Sequence, residues 1–407
     1  MQQLKCFSWN LQTMAINIFI HRDKRVVVAG AWGGTKFADN SRFLFQFLSD
    51  NKKRLRLKKV IWISKNSELV DLLRKMGYEA YLMGNKESHY YHLKAGIHII
   101  CNSFDYNTTM RPDIETRYSW GAKKINLWHG VGFKAVGAAS NSSRNPQREK
   151  RDKWKRTHSG LFGLTIPGAW NEAYFLCTSK RDAEIHYKTA LSPADKFFVS
   201  AYPRNCECLK LLPEEKNVIE KIKQYSGCVI YLPTFRDDES EYVHPLAYDS
   251  VRNLLKDNNW AWIEKPHSAD ANTRKFKHKG LNVIELPSDF DINVLYPHVN
   301  AVVSDYSSAV FDGIYHNLPT IMFTPDLDNF KNGSVGFIFD VETYCSSIIS
   351  MDETRFLSAL QGIISDSYFT EDRKKLFAKV QREFFNNRKS DYQEIWRDIT
   401  SKAGIKL

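Results

Sequence analysis

The sequence predicts an α/β protein built on two doubly wound parallel sheets. Two observations carry this. β-Branched or aromatic runs alternate with helical patterns from Arg25 to Tyr187 and again after Glu214, the rhythm of a parallel sheet covered by helices on both faces. The length, 407 residues, exceeds what one hydrophobic core serves, so two domains of roughly 200 residues are expected. A third observation concerns function: several predicted strands end in polar tips, where open α/β sheets bind their ligands.

Taken in order, Arg25-Val26-Val27-Val28-Ala29 reads as a strand feeding the turn Gly30-Ala31-Trp32-Gly33-Gly34, and residues 41–48 follow with helical spacing at Phe43, Leu44, Phe47 and Leu48. Residues 60–63 form the next strand and 68–76 the next helix, closed by Gly77 at a C′ position. Strands at 81–83, 97–101 and 125–127 continue the pattern, and 174–177 leads into a helix over 179–187. Between Leu191 and Pro213 the pattern breaks into turns at Ser192-Pro193, Tyr202-Pro203-Arg204-Asn205 and Leu212-Pro213, which places a boundary between domains 1–205 and 206–407. The second half restarts with a helix at 214–225 and strands at 228–231, 260–263, 282–284, 301–303 and 320–323. Ser350-Met351-Asp352-Glu353 has capping-box spacing ahead of a helix through Ile364, and 374–385 and 393–399 are closing helices.

A net charge of +12 and a pI near 9.2 favour an anionic partner without choosing among a nucleotide, a phosphorylated polymer, nucleic acid and a membrane face. Seven cysteines, an odd number with no C-x-x-C spacing, indicate neither a disulfide frame nor a zinc site and fit a reducing cytoplasm. The apolar stretch at 11–20 is shorter than the roughly 20 residues of a spanning helix, and lacks a signal peptide's basic start and cleavage site. A cytoplasmic protein with peripheral membrane contact is expected. Two basic clusters stand out. The run at 52–59 reads as a solvated helix end. The insertion around 137–165 holds Arg144, Arg148, Lys150, Arg151, Lys153, Trp154, Lys155 and Arg156, a mixture suited to an anionic membrane or polyanionic acceptor, or to a plain solvated face.

Four strand tips carry the candidate chemistry. They are Leu127-Trp128-His129-Gly130, Tyr231-Leu232-Pro233-Thr234-Phe235-Arg236, Glu264-Lys265-Pro266-His267 and Ser304-Asp305-Tyr306-Ser307-Ser308. Each has a bland alternative: a packed histidine at 129, a loop histidine at 267, an ion pair of Arg236 with Asp237 or Asp238, an ordinary helix cap at Ser307 and Ser308. Their shared position at strand ends favours function and points to one interdomain cleft. The last tip reads as an anion seat, with backbone N–H groups and two hydroxyls at a helix start.

These tips, in this order, resemble the CDP-glycerol glycerophosphotransferases that build teichoic acids and related phosphate-containing capsules. Trp32-Gly33-Gly34, Phe37-Ala38-Asp39-Asn40-Ser41 and Tyr202-Pro203-Arg204-Asn205 are also similar to that family, so the resemblance covers most of the chain. It implies a GT-B-like fold, two Rossmann-like domains facing each other across a cleft, with the donor held by the second and the acceptor reached from the first. It implies His129 as general base and His267, the second catalytic residue, holding the transferred phosphate with Ser307 and Ser308. Thr234, Arg236 and Asp305 complete the donor site, and the 148–155 cluster faces acceptor or membrane. An acceptor hydroxyl attacks the phosphorus next to the polyol, and CMP leaves; no cofactor or metal is expected. Phosphoryl transfer asks for positioning and charge neutralisation, which these residue types supply. The segment Asn332-Gly333-Ser334-Val335-Gly336-Phe337 departs from the family by lacking a following Pro-Gly, and Ser268 stands where Pro is common, which leaves the donor's polyol open between glycerol and ribitol. A GT-B nucleotide-sugar glycosyltransferase is the alternative, and a polyanion-binding protein accounts for the charge but not the tips.

Overall fold

The structure, a computed structural model, describes residues 2–102, 112–135, 160–161, 164–165, 173–188, 194–234, 243–265, 282–332, 336–387 and 389–407. The described residues divide into two compact units. The first comprises 2–129, those of 160–210 and 389–407; the second comprises 130–135 and those of 211–387.

Unit 1 carries β1 (Asp23–Ala29), β2 (Lys59–Ser64), β3 (Glu79–Leu82), β4 (Ala95–Ile100), β5 (Lys123–Asn126), a small antiparallel pair β6 (Gly160–Leu161) and β7 (Leu164–Thr165), then β8 (Tyr174–Cys177) and β9 (Phe197–Val199). The main sheet runs β3-β2-β1-β4-β5-β8-β9, every pair parallel. Its central strands are apolar on both faces because both are covered: Val26 to Val28, Ile61 to Ile63, Ile97 and Ile99 are buried. The helix Asp39–Asp50 is buried from Asp39 to Leu48, an all-round burial that forces its polar residues to find partners. Gln46 Nε2 and Arg42 Nη2 both donate to the Lys210 carbonyl, at 2.7 and 3.3 Å.

The ends of the chain also belong to unit 1. Residues 11–20, read from sequence only as too short to span a membrane, fall mostly in a helix, Gln2–Asn17. The chain that follows is tied down by the Arg22 guanidinium, which donates to the carbonyls of His92, Ala95, Tyr118 and Trp120 at 2.6–2.8 Å. The last helix, Tyr392–Lys402, stacks Tyr392 on Phe47 with ring centroids 5.0 Å apart, and its Asp398 accepts from Ser200 Oγ at 2.8 Å.

Unit 2 carries β10 (Gly227–Leu232), β11 (Trp260–Glu264), β12 (Val283–Glu285), β13 (Ala301–Ser304), β14 (Thr320–Phe323) and β15 (Ile349–Ser350), in the order β12-β11-β10-β13-β14-β15, all parallel. The residues that follow His129 join this unit. Lys134 bridges Phe337, Ala135 N donates to the Gly336 carbonyl at 3.0 Å, and the Phe133 ring packs near Phe311. The expected cap at Ser350 lies two residues further on. Ser350 ends β15, and Asp352 caps the helix Glu353–Ile364 by accepting from Arg355 N at 2.9 Å.

Both sheets reverse their strand order once, between β1 and β4 in unit 1 and between β10 and β13 in unit 2. Connections from the two strands at such a point leave in opposite directions and open a crevice beyond their carboxyl ends. Among the described residues no helix is long and apolar enough to cross a membrane.

Candidate active site

In unit 1 the chain beyond β5 brings His129 beside the β1/β4 switch point. The ring lies half-buried between Trp32, which follows β1, and Trp128, at centroid distances of 5.2 and 4.0 Å. Its Nδ1 is 3.0 Å from the carbonyl oxygen of Cys101, which follows β4. A carbonyl only accepts, so Nδ1 carries the proton and Nε2 keeps its lone pair. Burial lowers the pKa of His129 below 6.5, opposed by Asp39 and the Cys101 carbonyl and assisted by Arg204 and His186. The imidazole is therefore neutral at neutral pH and ready to accept a proton at Nε2.

The backbone beneath His129 is clamped by two distant segments. Asn40 Nδ2 donates to the carbonyls of Leu127 and Trp128 at 3.2 and 2.8 Å, and Arg204 Nη1 donates to the carbonyl of His129 at 2.8 Å. Arg204 also pairs with Asp39 at 3.1 Å, with both side chains about 5% exposed, and its backbone N–H donates to Asn40 Oδ1 at 3.1 Å. Trp32, Asp39 and Trp128 all adopt positive φ, at 47°, 64° and 56°. Non-glycine residues hold that conformation at a cost of about 1–3 kcal/mol each, and only where surrounding contacts over-determine it.

A second buried carboxylate organises the switch point. Asp113 accepts from Gly33 N at 2.7 Å, Asn102 N at 2.9 Å and Cys101 N at 3.2 Å, joining the loops after β1 and β4. Burial raises its pKa to about 7 despite these three donors. Gly30 is required here, since a Cβ at that position would stand 2.4 Å from the Asp113 carbonyl oxygen.

In unit 2 the register aligns Leu232 with Ser304, so the tips of β10 and β13 emerge side by side at the switch point. Asp305 accepts from Thr234 N at 2.9 Å and from Tyr306 N at 2.6 Å, locking the two tips together. The buried Tyr306 turns its ring onto Phe330, 3.8 Å away, and donates its hydroxyl proton to Asp326 at 2.7 Å. Ser307 and Ser308 stay half-buried. Ser308 holds the N-cap position of the helix Ala309–Tyr315 but in αR conformation, without a side-chain capping bond; Ser307 Oγ accepts from Ala309 N at 3.4 Å, a long contact. The hydroxyls are thus little used by the helix itself. At the β11 tip Lys265 Nζ donates to the Phe290 carbonyl at 2.5 Å, while His244 Nδ1 accepts from Leu246 N, so its Nε2–H is the donor to Glu264, 3.2 Å away.

Of the sequence-derived candidates, the structure thus places His129 in unit 1 and Thr234, Asp305, Ser307 and Ser308 together in unit 2. His267, Arg236 and the 148–155 cluster lie outside the described residues.

The model of the CDP-glycerol:poly(glycerophosphate) glycerophosphotransferase family matches residues 12–397. The chain belongs to this family. Relatives of this family chain include a teichoic acid poly(glycerol phosphate) polymerase of Bacillus spizizenii, 24% identical over 340 residues that make up 79% of each chain. A teichoic acid glycerol-phosphate transferase of Staphylococcus aureus is 25% identical over 255 residues, 59% of this chain and 61% of the relative. Among solved structures, the wall teichoic acid polymerase TagF superposes with a TM-score of 0.69 at 16% identity, covering 99% of both chains. That likeness is one of fold, and it supports the GT-B-like reading of two Rossmann-like units.

Asp39, Asn40 and Arg204 stood in the glycerophosphotransferase-like stretches of the sequence without a role; their contact joins residues 165 positions apart, which no local pattern reveals. Asp113 gave no signal at all, because its three partners are backbone N–H groups.

Proposed function

We propose that this chain transfers a polyol phosphate, glycerol phosphate or ribitol phosphate, from a CDP-activated donor to a hydroxyl of a membrane-linked teichoic or capsular polymer, releasing CMP. Family membership supports the reaction class. The observation that carries the mechanism is the state of His129: a neutral ring with Nδ1–H spent on a backbone carbonyl and Nε2 left as base. In the proposed step the acceptor hydroxyl gives its proton to His129 Nε2 as its oxygen bonds to the phosphorus next to the polyol. The bond from that phosphorus to the bridging oxygen breaks, and CMP departs with the electron pair.

Ser307 and Ser308 are the proposed donors to the transferred phosphate, assisted by Thr234, His267 and Arg236. For Asp305 we propose a different part. A carboxylate against a phosphate repels it, and this one is occupied with the backbone of Thr234 and Tyr306, so its task is to hold the tips of β10 and β13 in place. The cluster of Arg148, Lys150, Arg151, Lys153, Trp154 and Lys155 is proposed to meet a phosphate-rich acceptor or the anionic inner face of the membrane, giving a cytoplasmic, peripheral enzyme.

The test is to incubate the purified chain with CDP-glycerol or CDP-ribitol and a lipid-linked or oligosaccharide acceptor and to identify the nucleotide released. CMP is expected. A nucleoside diphosphate released from a sugar donor would instead establish a glycosyltransferase, and no release from any CDP-polyol across the acceptor classes would overturn the assignment.

A further inference from the structure

We propose that Asp113 is a positioning residue that acts on His129 through a single peptide group, the one joining Cys101 to Asn102. The carbonyl of that group accepts the His129 Nδ1 proton at 3.0 Å, and its N–H donates to Asp113 Oδ2 at 2.9 Å. The order carboxylate, peptide, imidazole is thus a continuous chain of two hydrogen bonds with one amide in the middle.

The physical consequence follows from polarisation. An anionic acceptor on a peptide N–H pulls electron density toward the carbonyl oxygen, and hydrogen bonds in series strengthen one another in a low-dielectric interior. The Cys101 carbonyl becomes a better acceptor for Nδ1–H, which holds the tautomer and stabilises the imidazolium that forms when Nε2 takes a proton. A carboxylate placed directly on an imidazole does the same work, orienting the ring and raising its basicity without taking the proton. Here the proton on Nδ1 stays on the ring, and above its own pKa Asp113 remains a carboxylate through the proton transfer.

The surroundings suit this role. Asp113 is fully buried, so its charge is poorly screened. Its other bonds, to Gly33 N and Cys101 N, fix it against both loops of the switch point, leaving little freedom for the Cys101–Asn102 group to rotate. Burial that raises the acid to about 7 gives the device an operating range above that pH. The groups acting electrostatically on His129 are Asp39, Arg204 and His186, none of which shares the peptide route.

The catalytic consequence rests on the assignment of His129 as base; the electrostatic link does not. The experiment is an NMR titration of the His129 ring in the full chain, assigned by its loss in His129→Gln, compared between the parent and Asp113→Asn. Because Asp113 ionises near pH 7, above the range in which His129 itself titrates, the expected result is a second step near pH 7 in the His129 ring resonances of the parent, absent from Asp113→Asn. Asp113→Glu, which keeps the charge, should recover part of it. In turnover above pH 7, Asp113→Asn should lose roughly tenfold or more in kcat with the donor KM unchanged. A folded Asp113→Asn whose His129 titrates as in the parent overturns the proposal. Should that variant not fold, the parent decides: the Asn102 amide proton resonance is expected to shift as His129 titrates, and a stationary resonance overturns the link. Because these titrations need no substrate, a chain inactive with every CDP-polyol refutes the proposed reaction alone, whereas an active enzyme with an unresponsive His129 refutes only this inference.

Discussion

His129 owes its state as a base to groups that lie far from it in the chain. The Cys101 carbonyl chooses the tautomer, Asn40 and Arg204 hold the three carbonyls of residues 127–129, and the rings of Trp32 and Trp128 flank the imidazole. Replacing the ring by His129→Ala should lower turnover by roughly 10² or more while leaving donor binding intact, as steady-state kinetics beside calorimetry of CDP-glycerol binding would show. The Asp39–Arg204 pair is a structural counterpart. Removing one partner strands a buried charge, so Arg204→Met should cost about 3–5 kcal/mol in urea unfolding. Arg204→Met combined with Asp39→Asn should cost less than the sum of the two, and strict additivity would show that the pair is not coupled. At Gly30 the argument is one of space: Gly30→Ala has to displace the Asp113 carbonyl, and a fully active, equally stable variant would contradict the 2.4 Å approach.

Among the elements, the start of β4 and the segment packed on it respond to acid. Burial lowers His92 to about 4, with Glu115 opposing it, and holds His98 well below 6.5; Arg22 and Lys124 add to the lowering at His98. A histidine with a depressed folded pKa binds its proton more readily in the unfolded chain. Its contribution to stability is therefore complete above about 6.5 and is lost as pH falls toward the folded value. For His92 alone the loss by pH 5 is about 2 kcal/mol. Asp113, raised to about 7 in the same unit, gains stability over this range, so the test is the difference between variants: between pH 7 and 5 the urea midpoint of unit 1 should change less favourably in the parent than in His92→Gln, and identical profiles would show that His92 titrates normally.

At the scale of the whole molecule, the chain leaves unit 1 twice, after His129 for residues 130–135 and after Lys210 for the described residues of 211–387, and returns to it for its last segment, 389–407. The closing helix stacks on Phe47 and bonds Ser200, so it is part of the core that supports His129 and not an appendage of the unit before it in sequence. Truncation after residue 387 should therefore destabilise unit 1 and expose Phe47. In limited proteolysis the new cleavage sites are expected among residues of unit 1, and cleavage confined to unit 2 would refute this.

Much of this was legible in the sequence, for one reason: strands buried on both faces must be apolar throughout. Residues 60–63, 174–177, 260–263 and 320–323 accordingly read as strands within a residue or so of where they lie. The polar residues that interrupt such runs at their carboxyl ends, His129, Thr234, Ser307 and Ser308, announced themselves as site candidates by contrast. The family, too, was carried by those tips, because ligand-facing side chains are set by chemistry and stay recognisable when the core is repacked. What the chain order concealed is everything made by contact between remote segments. The Asp39–Arg204 pair, the tautomer of His129 and the role of Asp113 depend on hydrogen bonds with backbone groups, which every residue possesses and no composition distinguishes. The sequence by itself determined the two parallel sheets and the strand tips, through hydrophobic pattern and side-chain identity. Only the tertiary structure decided which nitrogen of His129 is the base and what holds it, because those are properties of distance and direction.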